Sequence, residues 1–124
     1  MSPADDAALL LRIVRRHLQA MQLNLNPLYP DEEWGFQAQQ ALEKLLKAEL
    51  VLQDRSAQRT HALVALAEEL GELLPLELLQ LQVFAVEARY EEGPFPLPAS
   101  REHLLDLLNE RLARVEGALA EAQS

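Results

Sequence analysis

Arginine and histidine side chains able to act on a phosphate group occur together near the middle of the chain. Arg55 and His61 are six residues apart, and these residue types can stabilise charge on a phosphate and move a proton. His61 also follows Thr60, whose hydroxyl is predicted to cap a helix. We prefer this structural role for His61 and therefore assign no catalytic residue, keeping Arg55 and His61 as candidates only.

A second set of polar residues lies further upstream, at Gln40, Glu43, Lys44 and Lys47. Two lysines one helical turn apart beside a glutamine can hold a phosphate or an acidic partner surface. Glu43 and Lys47 also have the i,i+4 spacing of a surface ion pair, which contributes about 0.2–0.5 kcal/mol. The sequence leaves both interpretations open, a nucleotide- or partner-binding surface and a solvated face opposite the core.

Arg89 and Tyr90 end the fourth predicted helix. An arginine in the last turn complements the negative end of the helix dipole, which is a sufficient structural reason for it. Tyr90 could stack on a base, so we include both residues among the nucleotide- or partner-binding candidates.

The strongest basic cluster lies in the first predicted helix, at Arg12, Arg15 and Arg16. It suits either a solvated face or a contact with a phosphate or an acidic partner. His17 is about 140° around the helix from Arg12, so the two cannot act on one atom. We interpret His17 as a histidine at the edge of the core.

Several kinds of chemistry are excluded by residue content. The chain has no cysteine, which rules out disulfides, thiolate nucleophiles and sulfur-rich zinc sites. It contains no glycine-rich phosphate loop, no HExxH motif and no metal-ligand cluster. We therefore expect neither a metal nor a cofactor.

Charge and hydropathy indicate where the protein acts. No apolar run approaches the roughly 20 residues that span a bilayer, and the acidic start is unlike a secretory signal. We therefore expect a cytoplasmic protein that is not bound to a membrane. The net charge is −9. Residues 1–61 hold 7 basic against 8 acidic side chains, whereas residues 62–124 hold 4 against 12. Broad DNA binding is therefore not expected, because the acidic half repels phosphate backbones.

Leucine-rich periodicity predicts an all-α protein, an antiparallel up-and-down bundle of four main helices plus one additional helix in a single domain, residues 1–124. The predicted helices cover about 3–23, 31–52, 60–70, 76–91 and 101–119. Ser2, Thr60 and Ser100 are the predicted N-caps. Glu49 falls near the centre of the apolar stripe of the second helix. Either an arginine or histidine of another helix pairs with it, or that end of the stripe is open to water.

The second helix reads Phe-Gln-Ala-Gln-Gln-Ala-Leu-Glu-Lys-Leu-Leu-Lys-Ala over residues 36–48. This run resembles the signature of the HEPN family, in which an aromatic residue precedes Ala-Gln-Gln-Ala-x-Glu-Lys-x-x-Lys-Ala. The resemblance extends to Thr60-His61-x-Leu63 and to Glu-Ala-Arg-Tyr at residues 87–90, ahead of a proline-containing loop. It covers nearly the whole chain, from about residue 5 to 119.

The resemblance implies a helical bundle that often dimerises and that works beside a minimal nucleotidyltransferase, binds nucleotides or cleaves RNA. RNA-cleaving members carry an arginine and a histidine with four to six residues between them. Arg89 has no histidine at that distance, and the next one is His103. We therefore expect a nucleotide-binding or regulatory protein, in a toxin–antitoxin-like system. A metal-independent ribonuclease with a displaced motif and a nonenzymatic dimeric scaffold remain the alternatives.

The wide apolar stripe of the second helix also predicts that the protein forms an oligomer. Together with the nearly all-apolar fourth helix it exceeds what one small bundle easily covers. We expect a homodimer, the commonest closed assembly.

Overall fold

Three long helices form the frame of the molecule. The computed structural model describes residues 2–56 and 59–124, and these contain helices and no strand. The long helices are α1 (Pro3–Leu23), α2 (Asp31–Leu52) and α6 (Arg101–Gln123). The shorter segments are α3 (Leu63–Leu70), α4 (Leu76–Leu79), a 3-10 helix (Gln80–Phe84) and α5 (Glu87–Tyr90). The all-α prediction is confirmed. No helix in the described part of the chain is long and apolar enough to cross a membrane.

The starts of α1 and α6 follow the predicted caps. Ser2 and Asp5 form a reciprocal capping box, in which the Asp5 backbone N–H donates to Ser2 Oγ at 3.1 Å. Ser100 Oγ accepts a hydrogen bond from the backbone N–H of His103 at 3.1 Å. Both caps satisfy N–H groups that a helix start leaves without intrahelical partners.

α2 is the central helix and contributes eleven buried residues, more than any other element. It packs antiparallel to α1, and the Trp34 indole N–H donates to the carbonyl oxygen of Met21 at 3.1 Å. Arg101 at the start of α6 holds the turn between α1 and α2. Its guanidinium donates to the carbonyl oxygens of Asn24, Asn26 and Tyr29 at 2.6–3.0 Å.

The fourth helix differs from the prediction of one helix over residues 76–91. It is broken into α4, the 3-10 helix and α5. Leu78, Leu81 and Phe84 are buried and spaced by three. A 3-10 helix has three residues per turn, so this conformation places Leu81 and Phe84 on the same side, facing the core, after Leu78 of α4.

The third helix also starts later than predicted. α3 begins at Leu63 with Ala62 at its N-cap, so Thr60 is not the cap. Thr60 Oγ1 instead accepts from the Ala62 N–H at 3.0 Å, and Gln82 Oε1 accepts from the Leu63 N–H at 2.7 Å. A side chain from the 3-10 helix thus satisfies the helix start from outside. The preceding connection was predicted over residues 54–59, of which 57 and 58 lie outside the described residues.

Candidate functional site

One side of α2 remains partly open to solvent and carries most of the predicted binding residues. The residues that form this outer strip are all half-buried: Phe36, Gln37, Gln40, Lys44 and Lys47. Its two lysines are the only lysines in the chain. The strip is therefore a narrow, partly exposed polar surface on a helix whose other sides are packed against the rest of the protein. It is not the freely solvated face that was one of the two interpretations of the sequence.

Glu43 lies beneath this strip, and its position corrects the prediction that it faces away from the core. Its side chain is only 3% exposed. The carboxylate accepts hydrogen bonds from Gln39 at 3.1 Å, Lys47 at 3.0 Å and His61 at 2.9 Å. The predicted pairing of Glu43 with Lys47 is present. Burial by itself raises the pKa of Glu43, but the three hydrogen bonds outweigh it and hold the pKa below its ordinary value.

His61 is fixed by this buried carboxylate. Because Glu43 can only accept, the Nδ1 atom of His61 must carry the hydrogen of the neutral ring. The His61 carbonyl oxygen also accepts from Gln39, at 3.4 Å. The side chain of His61 is nevertheless 72% exposed, so the ring is held at Nδ1 while most of it is open to solvent. The structure thus ties His61 and the connection before α3 to α2.

Arg55 and His61 are tied to different levels of α2. The backbone N–H of Arg55 donates to the carbonyl oxygen of Leu50, and its side chain donates to Gln53. The His61 imidazole is bound by Glu43, seven residues before Leu50, which corresponds to roughly 10 Å of helix. The structure therefore does not bring Arg55 and His61 together within one chain. Arg55 instead lines a polar pocket of about 340 Å³ near the start of α1.

Lys44 is held along the outer strip by Gln40, which Gln39 fixes in turn. Its Nζ atom donates to Gln40 Oε1 at 2.7 Å, and Gln40 in turn donates to Gln39 Oε1 at 2.8 Å. Burial lowers the pKa of Lys44, and Glu43 partly offsets this effect. His17 donates from Nδ1 to Gln37 Oε1. Burial lowers the pKa of His17 and the charge of Lys44 lowers it further, although the bond to Gln37 opposes both effects. The basic side chains of α1 and α2 thus approach each other here.

Arg89 contacts the outer strip at Phe36, whereas Tyr90 is mostly exposed. The Arg89 guanidinium carbon lies 4.2 Å from the centroid of the Phe36 ring, in cation–π contact. Arg89 and Phe36 line a small cavity of about 200 Å³ with Glu32 and Glu33. Tyr90 is 83% exposed. Arg89 therefore lies at one end of the outer strip, and the lysines lie two to three turns further along α2.

Sequence reasoning did not identify Gln39 and Glu43 as buried partners of His61. At 100° per residue they fall on the same side of α2 as Leu46 and Leu50, and this shared side was the available signal. No group of three or more histidines, aspartates or glutamates that could hold a metal ion occurs among residues 2–56 and 59–124.

These features define an all-helical domain whose central helix displays a fixed set of cationic and amide side chains. The chain belongs to the HEPN domain family, because the model of that family matches residues 7–116. Membership indicates a nucleotide-related or ribonuclease-like function. No curated protein and no solved structure matches the chain.

Proposed function

We propose that this HEPN domain binds the phosphate groups of a nucleotide on the outer strip of α2 and acts as a regulatory, non-cleaving protein. The observation that carries the proposal is the placement of Lys44 and Lys47, the only two lysines, on the one open side of the most buried helix. Their neighbours Gln40 and Glu43 hold both ammonium groups in place. A preorganised cation pays less side-chain entropy when it binds an anion.

The surrounding charges favour the same ligand. Lys44 and Lys47 carry two positive charges on the strip, and the buried Glu43 offsets one of them, whereas Arg89 at the far end shares its cavity with Glu32 and Glu33. The rest of the protein is acidic, with a net charge of −9, so this strip is a local exception. Such a site suits a compact phosphate ligand better than a long polyanion, which the acidic remainder repels.

Replacing both lysines tests this site. We expect the Lys44→Gln/Lys47→Gln variant to bind ATP at least about tenfold more weakly than wild type, since charge-assisted hydrogen bonds contribute about 1.5–3 kcal/mol each. Glutamine is one atom shorter than lysine but keeps an amide donor for Gln40 and Glu43, and circular dichroism checks that the variant retains the helical fold. Isothermal titration calorimetry measures the loss, and Arg114→Gln, an exposed cation on α6, is the control. Equal ATP affinity of the lysine variant and wild type contradicts the proposal.

The proposal includes a minimal nucleotidyltransferase as the partner, in a toxin–antitoxin-like system, and a symmetric homodimer in the cytoplasm. The family is the support for the partner, and a neighbouring reading frame for a small nucleotidyltransferase would strengthen it. Exposed apolar side chains on the segments that replace the fourth helix, Val86 and Tyr90, support a further protein contact.

A second candidate function, RNA cleavage, is favoured by one observation. A histidine whose Nδ1 is bound to a buried carboxylate and whose ring is otherwise open has the form of a general base or acid. His61 does not have Arg55 as a neighbour in the same chain, because Arg55 is bound near Leu50, at another level of α2.

We expect purified protein not to cleave RNA specifically, because Arg55, the arginine at the expected spacing from His61, is bound at another level of α2 and is not placed to act with it on one phosphate. The assay incubates wild type, Arg55→Ala and His61→Ala with tRNA and mRNA, and the three are expected to behave alike. Cleavage by wild type that disappears in His61→Ala would replace the regulatory proposal by the ribonuclease.

A further inference from the structure

A groove of about 510 Å³ lies on the side of α1 and combines apolar and cationic side chains. It is lined by Leu9, Arg12, Ile13, Arg15 and Arg16. Leu9 is 44% exposed, although it is a large aliphatic residue, and Ile13 is half-buried. The neighbouring face of α1, with Leu11, Val14 and Leu18, already packs in the core, so burial within this chain does not account for Leu9.

The charges of the groove are unbalanced. Arg15 is paired with Glu116 of α6 at 2.8 Å. Arg12 and Arg16 have no ion pair among the residues that the structure describes. The sequence contains no acidic residue between Asp6 and Asp31. A protein of net charge −9 thus has one partly aliphatic helix face with three arginines, of which one is paired with α6, and the acidic residues of α1 lie only at its N-terminal end, at Asp5 and Asp6.

The arrangement of these side chains matches the surface of another helix. Leu9 and Ile13 are four residues apart, as are Arg12 and Arg16, so each pair forms a row along α1. Rows at this spacing fit into the grooves of a facing helix. A helix with leucines in one row and carboxylates beside them complements both rows.

We propose that this face of α1 docks an acidic amphipathic helix of a partner protein. A nucleic acid is the poorer occupant, because the groove lining holds no aromatic ring on which a base could stack and the acidic remainder of the molecule opposes a polyanion. The proposal is independent of the phosphate site, because the groove lies on α1 and the lysines lie on α2.

A pair of synthetic peptides tests the proposal. One is an amphipathic helix of about 18 residues, long enough to be partly helical alone, with leucines four apart and glutamates flanking them. Its twin carries lysines in place of the glutamates. Fluorescence anisotropy with labelled peptides is expected to show binding of the acidic peptide to the full wild-type chain and no binding of the basic twin.

Charge reversal provides the decisive comparison. Arg12→Glu/Arg16→Glu is expected to weaken the acidic peptide at least about tenfold, which is 1.4 kcal/mol, and to create binding of the basic twin. Leu9→Gln, at an exposed position, is expected to weaken both forms of docking. Arg114→Glu, a charge reversal on another helix, is expected to leave the affinity unchanged.

Three results would overturn the proposal. One is the absence of acidic-peptide binding to wild type, and a second is equal binding to wild type and to the Arg12→Glu/Arg16→Glu variant. The third is binding of a single-stranded RNA oligonucleotide, but not of the peptide, through Arg12 and Arg16, which would make the groove a nucleic-acid surface. Circular dichroism of each variant shows that the helical fold is retained.

Discussion

Replacement of Gly35 by alanine is expected to lower the free energy of unfolding by about 2 kcal/mol. Gly35 lies in the interior of α2, where the ring of Phe84 packs directly on its backbone. A Cβ atom at this position would lie 2.6 Å from ring atoms of Phe84, closer than carbon atoms can pack. Overpacking of this kind costs about 1–3 kcal/mol, and the higher helix propensity of alanine offsets up to about 1 kcal/mol.

Gly117 provides a matched control in α6. A Cβ atom there meets no atom within 4 Å, so Gly117→Ala is expected to stabilise the protein by up to about 1 kcal/mol through helix propensity alone. Thermal unfolding measures both, with a shift of roughly 4 °C per kcal/mol for a chain of this size. The same substitution should therefore change the melting temperature in opposite directions in the two helices.

We attribute the destabilisation by Gly35→Ala to the ring of Phe84, and a second variant tests this cause. Phe84→Leu in the Gly35→Ala background is expected to cost less than the sum of the two single substitutions, because the ring that meets the new methyl group is gone. If Gly35→Ala stabilises the protein as Gly117→Ala does, or if the double variant is merely additive, the close approach of Phe84 is not what requires glycine.

The starts of the three long helices, and the ends of α1 and α2, agree with the prediction from the sequence, whereas α6 continues to Gln123, four residues beyond the predicted stripe. Ser2 and Ser100 are side-chain caps that act within their own helix starts, and the leucine periodicity continues from them. Such signals are local, so a single sequence contains them. The segment from Leu76 to Tyr90 is different, because the burial of Phe84 against Gly35 decides its conformation and involves a helix more than forty residues away.

The candidate site could be predicted only in part, for the same reason. The pairing of Glu43 with Lys47 is local and follows from their spacing. The bond between Glu43 and His61 is not local, since it depends on where the connection before α3 crosses α2. That path is set by tertiary contacts such as the Gln39 amide on the His61 carbonyl, which no pattern within either segment reveals.

Glu49 shows how far the sequence can specify a buried charge. Its position in the apolar stripe required a partner or access to water, and the structure supplies Arg111 of α6. The Arg111 Nε atom donates to Glu49 Oε2 at 2.8 Å, and Nη2 lies 2.7 Å from the same oxygen. Burial raises the pKa of Glu49 above its ordinary value although the guanidinium opposes it. The need for a partner was predictable, whereas its identity was not.

Removal of the arginine alone is expected to be the most damaging change in this pair. Arg111→Met leaves the carboxylate of Glu49, which is 14% exposed, without its cation. Breaking a buried ion pair costs about 3 kcal/mol or more, and a small helical protein has only about 5–15 kcal/mol of stability. Urea unfolding at neutral pH is expected to show this loss as a lower midpoint with an unchanged slope.

The pH dependence distinguishes an unpaired charge from a simple loss of packing. In Arg111→Met the pKa of Glu49 in the folded state rises further above its unfolded value, because the opposing guanidinium is gone. The protonated carboxyl is tolerated in the core and the ionised one is not. The stability of Arg111→Met relative to wild type is therefore retained below the pKa of Glu49 in the unfolded chain, about 4.3, and is lost as the pH rises through the pKa of Glu49 in the folded variant.

The double variant Glu49→Leu/Arg111→Met removes both charges and is expected to recover most of the stability at neutral pH. A destabilisation of Arg111→Met that is the same at pH 5 and pH 8, and that Glu49→Leu does not relieve, would show that Arg111 contributes packing and not charge compensation.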